Sequence, residues 1–489
     1  MRFVDRRREL QALERFWHFH DAGLMILSGR RRVGKTRLLT YFLENSSTPD
    51  ALYWTATTHG TAFQLRDFSQ TLLRYASRFG VPQVTDFAFP NWEAAFHFLA
   101  DTAARADEPQ FTVLDEFTYL IRSNPAITSV VQKVWDHHLS RQPQLKLVLT
   151  GSLVGTMDRE ILSYQAPLYG RATALLRLRP LSFAALSELF GERTAAERVA
   201  IYAVTGGVPA YLELFDRAPS FARALQEECF GPGSIVLSDP ALILHEQLKE
   251  PQIYESVLSA VAGGFHTWND IARMAGVPEN SLGHYIKVLQ ELELIERRDP
   301  VLARPGGRRG RYHVHDHFLR FYYRFVVPHI TAIERGYLTA AVNQISADLR
   351  AFIGVYVFEE LCREWVIAAA AVNDLGFQPE VVGSYWRRHR GAGVQLDIVA
   401  ANKREKRLFI GEAKWGTGLV GRQVLTDLVR RSQRMPQVAE GWAVDYALFA
   451  REGFSDAARE AANEMRARLI SLPEMERTLV GASQGTPDF

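Results

Sequence analysis

The sequence predicts a multidomain α/β protein, and three stretches carry that prediction. Near the front, "LMILSGRRRVGKTRLLTYFLEN" runs from an apolar segment through a glycine-bracketed loop into a helical pattern. In the middle, two short helical patterns and a longer third precede a basic, glycine-rich turn between strand-like runs. Near the end, "RLFIGEAKWGTG" (Arg407 to Gly418) carries Glu412 and Lys414 among aliphatics. Side chains at i and i+2 of a strand share a face, so a carboxylate and an ammonium there need a reason.

The bulk numbers set the frame. A chain of 489 residues is too long for one ordinary core, so two to four domains are expected. The composition, 47% hydrophobic and 23% charged, is that of a globular protein without low-complexity tracts. Cys229 and Cys362 cannot build a disulfide framework and fit a reducing compartment. "MRFVDRRREL" lacks the apolar core of a signal peptide, and no apolar run approaches the roughly 20 residues that cross a bilayer. A soluble, cytoplasmic protein without membrane contact is expected.

The first stretch reads G-x-x-x-x-G-K-[ST] from Gly29 to Thr36, between a strand and a helix as that motif requires. Gly29 and Gly34 let backbone N–H groups turn inward around phosphate oxygens at the positive end of a helix. Lys35 would reach the β- and γ-phosphates of ATP, and the Thr36 hydroxyl would ligate Mg²⁺. "QFTVLDEFTYL" is a second apolar strand, ending in Asp115 and Glu116. Asp115 would hold Mg²⁺ directly or through water, and Glu116 would polarise the attacking water. A third strand, "LKLVLTGSLVGTM", ends near Ser152, a γ-phosphate sensor or a plain turn. Arg171 in "PLYGRAT" is a candidate arginine finger or sensor, with a surface arginine as the competing reading.

With "FVDRRREL" before them and "TGGVPAYL" (Thr205 to Leu212) after, these motifs resemble the prokaryotic and archaeal ATPase family within the AAA+/STAND group of P-loop proteins. The resemblance covers roughly residues 1 to 240. It implies that Phe3 to Arg6 lie near the adenine and that Gly207, Val208 and Pro209 belong to a helical lid. Arg30, Arg31, Arg32, Val33 and Arg37 complete the expected nucleotide contacts. The triple arginine departs from the family pattern and would add attraction for phosphate or DNA, or face solvent.

From Pro251 the texture is helical. "IYESVLSAVAGG" stops at Gly263-Gly264, "TWNDIARMAG" has Thr267 as N-cap, and "SLGHYIKVLQELELI" spaces Leu282, Ile286 and Leu289 for one helix face. This fits a helix-turn-helix, and "IERRDPVLARPGGRRGRYHVHD" adds strand, basic turn and strand, as in a winged helix. Arg304, Arg308, Arg309 and Arg311 would project from the turn toward DNA phosphates, with His284 and Lys287 on the outer face of the third helix. Packing between domains is the competing use of the module.

The strand "VQLDIVA" precedes the final stretch, with "ANKREKR" between them. A turn centred on Arg404 and Glu405 makes the two strands a hairpin and sets Asp397 opposite Glu412. Facing carboxylates repel, and a divalent cation turns the pair into a metal site, Mg²⁺ or Mn²⁺ given oxygen ligands alone. Lys414 would stabilise developing charge. The set resembles the D…E-x-K core of the PD-(D/E)XK nuclease superfamily, although Leu396 stands where that pattern has proline. The resemblance implies an auxiliary carboxylate, for which Glu359 in "YVFEELCREW" is the better candidate.

The expected division is a P-loop ATPase core at 1–180, a helical lid at 181–248, a winged helix at 249–330 and a linker helix at 331–350. A restriction-endonuclease-like domain at 351–472 and a frayed tail at 473–489 complete it. The expected function is ATP-dependent action on DNA, with nucleotide state gating engagement and metal-dependent cleavage by the last domain. The alternatives are a STAND-type switch that keeps an inactive nuclease-like scaffold, and an ATPase that engages only protein. A homo-oligomer is compatible with each.

Overall fold

Five strands form a parallel sheet, and three of them are apolar runs buried from end to end, because strands covered on both faces have no polar side to present. They are β1 (Gly23–Ser28), β2 (Leu52–Thr55), β3 (Gln110–Asp115), β4 (Leu145–Gly151) and β5 (Ala174–Arg177), ordered β2-β3-β4-β1-β5. Every described pairing in this sheet is parallel. β1, β3 and β4 are buried along their full length, whereas β5, at the edge, is not. In this computed structural model, residues 2–45, 51–248, 250–307, 309–387 and 393–485 are described. Arg308, expected to meet DNA, lies outside them.

The chain divides into two compact units. One holds Asp5–Pro180 with Val208–Ala210, the other Met1–Val4, Leu181–Gly207 and Tyr211–Phe489. The residues expected as a lid are therefore grouped largely with the C-terminal modules. In the smaller unit α1 (Lys35–Asn45) follows the glycine loop directly. In the larger unit α2 (Ala195–Thr205) starts at a capping box, with Thr194 and Glu197 each satisfying the other's backbone N–H.

Further along are α3 (Pro251–Ala262), α4 (Trp268–Ala275) and α5 (Glu279–Glu291). Leu282, Ile286 and Leu289 are buried on α5, as their spacing requires, while His284 and Lys287 are exposed. An antiparallel ribbon follows, β6 (Ile295–Arg298) with β7 (Arg311–Val314), in register from Ile295–Val314 to Arg298–Arg311. The helix expected at 331–350 runs over Leu338–Phe352.

The second sheet is mixed. Its strands β8 (Val381–Arg387), β9 (Val394–Asn402), β10 (Arg407–Lys414), β11 (Ala443–Ala450) and β12 (Arg468–Ser471) are ordered β12-β11-β10-β9-β8. β10 is central, as Leu408, Phe409 and Ile410 predict, and all three are fully buried. Two helices cover it. α6 (Glu359–Ala371) sets Trp365 against Phe409 and Phe449. α7 (Arg422–Ser432) sets Leu425 and Leu428 into the cluster of Leu408, Ile410 and Leu448 on the alternate residues.

The expected frayed tail is corrected. Residues Leu472–Gly485 form α8, with Leu472 and Met475 buried. Glu476 meets Arg198 of α2 through two charge-assisted hydrogen bonds of 2.6 and 2.5 Å. Leu472, Met475 and Leu479 lie at helical spacing, so one apolar stripe orders a segment that reads as polar overall.

Candidate functional site

The glycine loop is built by close approach. A Cβ at Gly29 would lie 2.6 Å from the Leu178 carbonyl, and Gly34 has φ +99°, a conformation that excludes ordinary side chains. Lys35 is buried, and its ammonium donates to the Gly29 carbonyl at 2.9 Å and stands 3.8 Å from Glu116. Burial pulls the Lys35 pKa down, against the opposing pull of Glu116 and Asp115, with Arg31 adding to the decrease. Arg6 donates to the Val33 carbonyl at 3.2 Å and thereby braces the loop. Pro209 is near enough that a Cβ on Gly34 would lie 3.8 Å from its ring.

Asp115, at the end of β3, gathers hydroxyls. Thr36 donates to Oδ2 at 3.0 Å, Tyr53 donates to the same oxygen at 2.7 Å, and Thr150 donates to Oδ1. Tyr53 was not foreseen; its place second in a four-residue strand carried no motif. Burial, then the Asp115 charge, pushes the Tyr53 phenol pKa up, so it remains a donor. Glu116 has φ 54°, and its Oε2 accepts from the Ser152 hydroxyl at 2.6 Å and the Ser152 N–H at 3.2 Å. Ser152, expected at the γ-phosphate, thus holds the carboxylate expected to polarise water.

One nucleotide expectation changes. The Arg171 guanidinium is bidentate to Asp136 at 2.7 and 2.8 Å and also donates to the Pro167 and Tyr169 carbonyls. A finger needs donors to spare, and this arginine spends them on Asp136 and on its own turn. Of the residues expected near the adenine, Phe3 is half-buried and Arg6 is buried. Arg30, Arg31 and Arg32 are half-buried, Val33 is buried, and Thr36 and Arg37 are exposed.

The second site is at the end of the β9–β10 hairpin. Leu408 pairs with Ala401, Ile410 with Val399 and Gly411 with Ile398. One step further, the register brings Asp397 beside Glu412, and the Ala413 N–H donates to Asp397 Oδ2 at 3.3 Å. On the other side of β9 the pairing with β8 slips by one residue between Gly383 and Tyr385. The Ser384 hydroxyl at that slip donates to the Asp397 carbonyl at 2.8 Å, and Arg363 of α6 donates to it at 3.1 Å. An irregularity of this kind re-aims a side chain at the end of a ladder.

Glu412 is 4% exposed, with Lys414 2.7 Å from Oε1 and Arg431 of α7 2.7 Å from Oε2. Arg431 was not foreseen, because its contact joins a helix to a strand nineteen positions earlier. It adjoins the buried Ser432 on the inner face of α7, and that helical stripe was the available signal. Glu359 lines the same pocket, of about 380 Å³, with Asp397, Glu412, Lys414 and Trp415. Burial and then the Asp397 charge push the Glu359 carboxyl up to about 8; burial and then Glu412 push Asp397 up to about 6.

Among the described residues, no group of three or more His, Cys, Asp or Glu side chains is arranged to hold a metal ion. The expected trio of Glu359, Asp397 and Glu412 is corrected to a carboxylate pair with an acid beside it. The reason is competition: Glu359 pairs with Arg363 at 3.6 Å, and Glu412 is held from both oxygens. The pair itself fits a divalent cation, since buried carboxylates in mutual repulsion are what such a charge relieves. In the first site the Thr36 hydroxyl and Asp115 carboxylate are the donors that suit Mg²⁺.

The expected DNA-facing residues separate. Arg304 and Arg309 are exposed, and Lys287 is 3.8 Å from Glu291. Arg311 does not project: it lies over the Trp386 ring of β8, 4.7 Å from its centre, while Trp386 donates to the Arg309 carbonyl at 2.9 Å. Val301, just after β6, donates its N–H to Ser384 and enters the core of the second sheet. The ribbon is thereby docked on that sheet. Beneath it, the half-buried Glu360 of α6 meets Arg298, Arg320 and His317; although desolvation alone would push its pKa up, the arginines take it well below the usual carboxylate range.

Residues 3–215 match an ATPase domain found predominantly in Archaea, and residues 322–426 match a domain described as archaeal and bacterial proteins of unknown function. An uncharacterised protein of Methanocaldococcus jannaschii is 34% identical over 413 residues, covering 84% of this chain and 87% of that protein. An uncharacterised ATP-binding protein of the same organism is 60% identical over 43 residues, 9% of this chain and 73% of that protein. Among solved structures, a Walker-type ATPase of Pyrococcus abyssi is similar in fold, with TM-score 0.50 and 21% identity over 66% of this chain and 96% of that one. No described helix is long and apolar enough to cross a membrane.

Proposed function

The chain belongs to a family in which an archaeal-type ATPase domain precedes a C-terminal domain of unknown function, and from that premise we propose an ATP-hydrolysing protein that acts on DNA. Nucleotide state gates DNA engagement, and the C-terminal domain cleaves phosphodiesters. The observation that carries this reading is the meeting of Asp397 with Glu412 at the end of a buried hairpin, with Lys414 2.7 Å from Glu412.

In the ATPase domain, Lys35 and the loop N–H groups receive the phosphates, and Glu116, oriented by Ser152, takes the proton side of water attack. Thr36 and Asp115 would hold Mg²⁺, which balances phosphate charge when bound. In the C-terminal domain, Asp397 and Glu412 would hold Mg²⁺ or Mn²⁺, which supplies Lewis acidity at a phosphodiester when bound. Lys414 stabilises charge that develops on the phosphate, and Arg431 competes for Glu412. The ribbon and three helices act as a winged helix, and the mixed sheet as a restriction-endonuclease-like fold.

Cleavage of DNA by the purified chain in Mg²⁺ or Mn²⁺ tests this. Loss in Asp397→Ala with retention in Lys35→Ala supports the nuclease. Saturable DNA binding without cleavage supports a second reading, a nucleotide-driven switch on an inactive scaffold. That reading is favoured by one observation, the double neutralisation of Glu412 by Lys414 and Arg431.

A further inference from the structure

A cleft of about 1410 Å³ opens between the turn that joins β6 to β7 and the edge strand β8. Arginines and aromatic rings recur in its lining. Arg297, Arg309 and Arg387 line it together with Trp268, Tyr312 and Trp386. Arginines lie over the rings: Arg297 is 5.9 Å from the centre of Tyr312, and Arg311 is 4.7 Å from that of Trp386. Trp268 packs against Tyr312 with centroids 6.0 Å apart. Asp270, the one acidic residue among the described lining, is engaged by Arg273 at 2.9 Å and by the Thr267 hydroxyl at 2.5 Å.

We propose that this cleft is a groove for single-stranded nucleic acid. The inference rests on the reading that the chain acts on DNA, and it names the form of DNA and the surface. Cationic walls that track phosphates, with aromatic rings between them, are the recognition chemistry of a strand whose bases are unpaired. Bases within a duplex are already stacked on one another and offer no face to half-buried rings. One lining residue is tied to the carboxylates through a single guanidinium: the Gln395 carbonyl accepts from Arg431 at 3.0 Å, and Arg431 is 2.7 Å from Glu412.

Fluorescence anisotropy of the full chain with labelled oligothymidine of about 20 nucleotides, and with a duplex of equal length, across a salt series tests the groove. The strand is expected to bind at least about tenfold tighter than the duplex. Arg309→Ala with Arg387→Ala lowers strand affinity and reduces the log–log salt slope by about 1.4, roughly 0.7 for each lost phosphate contact. Trp386→Ala weakens binding by about tenfold at an unchanged slope, and Trp386→Phe, which keeps a ring under Arg311, restores it. Arg459→Ala, an exposed arginine outside the cleft lining, leaves strand binding unchanged. A duplex bound as tightly as the strand, or an unchanged salt slope in the double arginine variant, overturns the groove and leaves DNA action standing. Failure of the wild-type chain to bind either nucleic acid overturns both.

Discussion

Arg431 places a guanidinium nitrogen 2.7 Å from Oε2 of Glu412, although the two come from different elements and Glu412 already has Lys414 at its other oxygen. A cation entering the pocket must therefore displace a resident charge. Arg431→Met should destabilise the metal-free chain by about 1–3 kcal/mol, through a buried carboxylate that loses a partner. It should also tighten Mn²⁺ binding by roughly tenfold, read from metal-dependent shifts in Tm. Equal Mn²⁺ shifts in wild type and variant would remove Glu412 from the metal-binding set.

The bond from Ser152 to Glu116 makes a separable claim about the ATPase domain. Lys35→Ala should abolish both ATP binding and turnover if, as proposed, the ammonium receives the phosphates. Ser152→Ala should keep ATP affinity while turnover falls by about tenfold, the size of losing one orienting hydrogen bond. Fluorescent-nucleotide titration and phosphate release measure the two quantities. A Ser152→Ala enzyme with wild-type turnover would show that Glu116 needs no orienting.

The buried pair of Arg198 and Glu476 should dominate the stability of α8. Glu476→Ala leaves a guanidinium with only carbonyl partners in a poorly hydrated site, at a cost of about 3 kcal/mol. Urea unfolding measures this. A change under about 0.5 kcal/mol would mean that solvent already screens the pair.

Burial holds His266 and His317 neutral, each pulled down to about 4. Unfolded histidines protonate near 6.5. As pH falls from about 6.5 toward 4, the unfolded chain binds protons that the folded chain refuses. Their stabilising contribution is thus full above that window and is lost within it, by about 1.4 kcal/mol per pH unit for each histidine. Urea melts across the window should show the decline, with a shallower one in His266→Gln. An identical slope in that variant would exclude His266 as a source.

Legibility followed the range of the interaction. Gly29 to Thr36 and the strand ending in Asp115 are local patterns, and local patterns suffice for a loop between a buried strand and a helix. The meeting of Asp397 and Glu412 was also legible, because a charged turn centred on Arg404 and Glu405 fixes a two-residue register. Arg171 was misread since nothing near it in sequence discloses Asp136. Arg311 was misread for the same reason, its ring partner Trp386 being 75 residues away by position. The tail was misread by composition, where the stripe of Leu472, Met475 and Leu479 was the better guide.

The reach of Glu476 back to Arg198 also bears on the order in which the chain can mature. The nucleotide-binding unit has nearly all its sequence by Pro180, so its parallel sheet can close early in synthesis. The other unit, apart from Met1–Val4, follows from Leu181, and its Arg198 lacks a counter-charge until Glu476, 278 positions later. For that interval Arg198 has to remain hydrated. Apart from Val208–Ala210, the smaller unit is therefore complete in synthesis long before the larger one can neutralise its interior arginine.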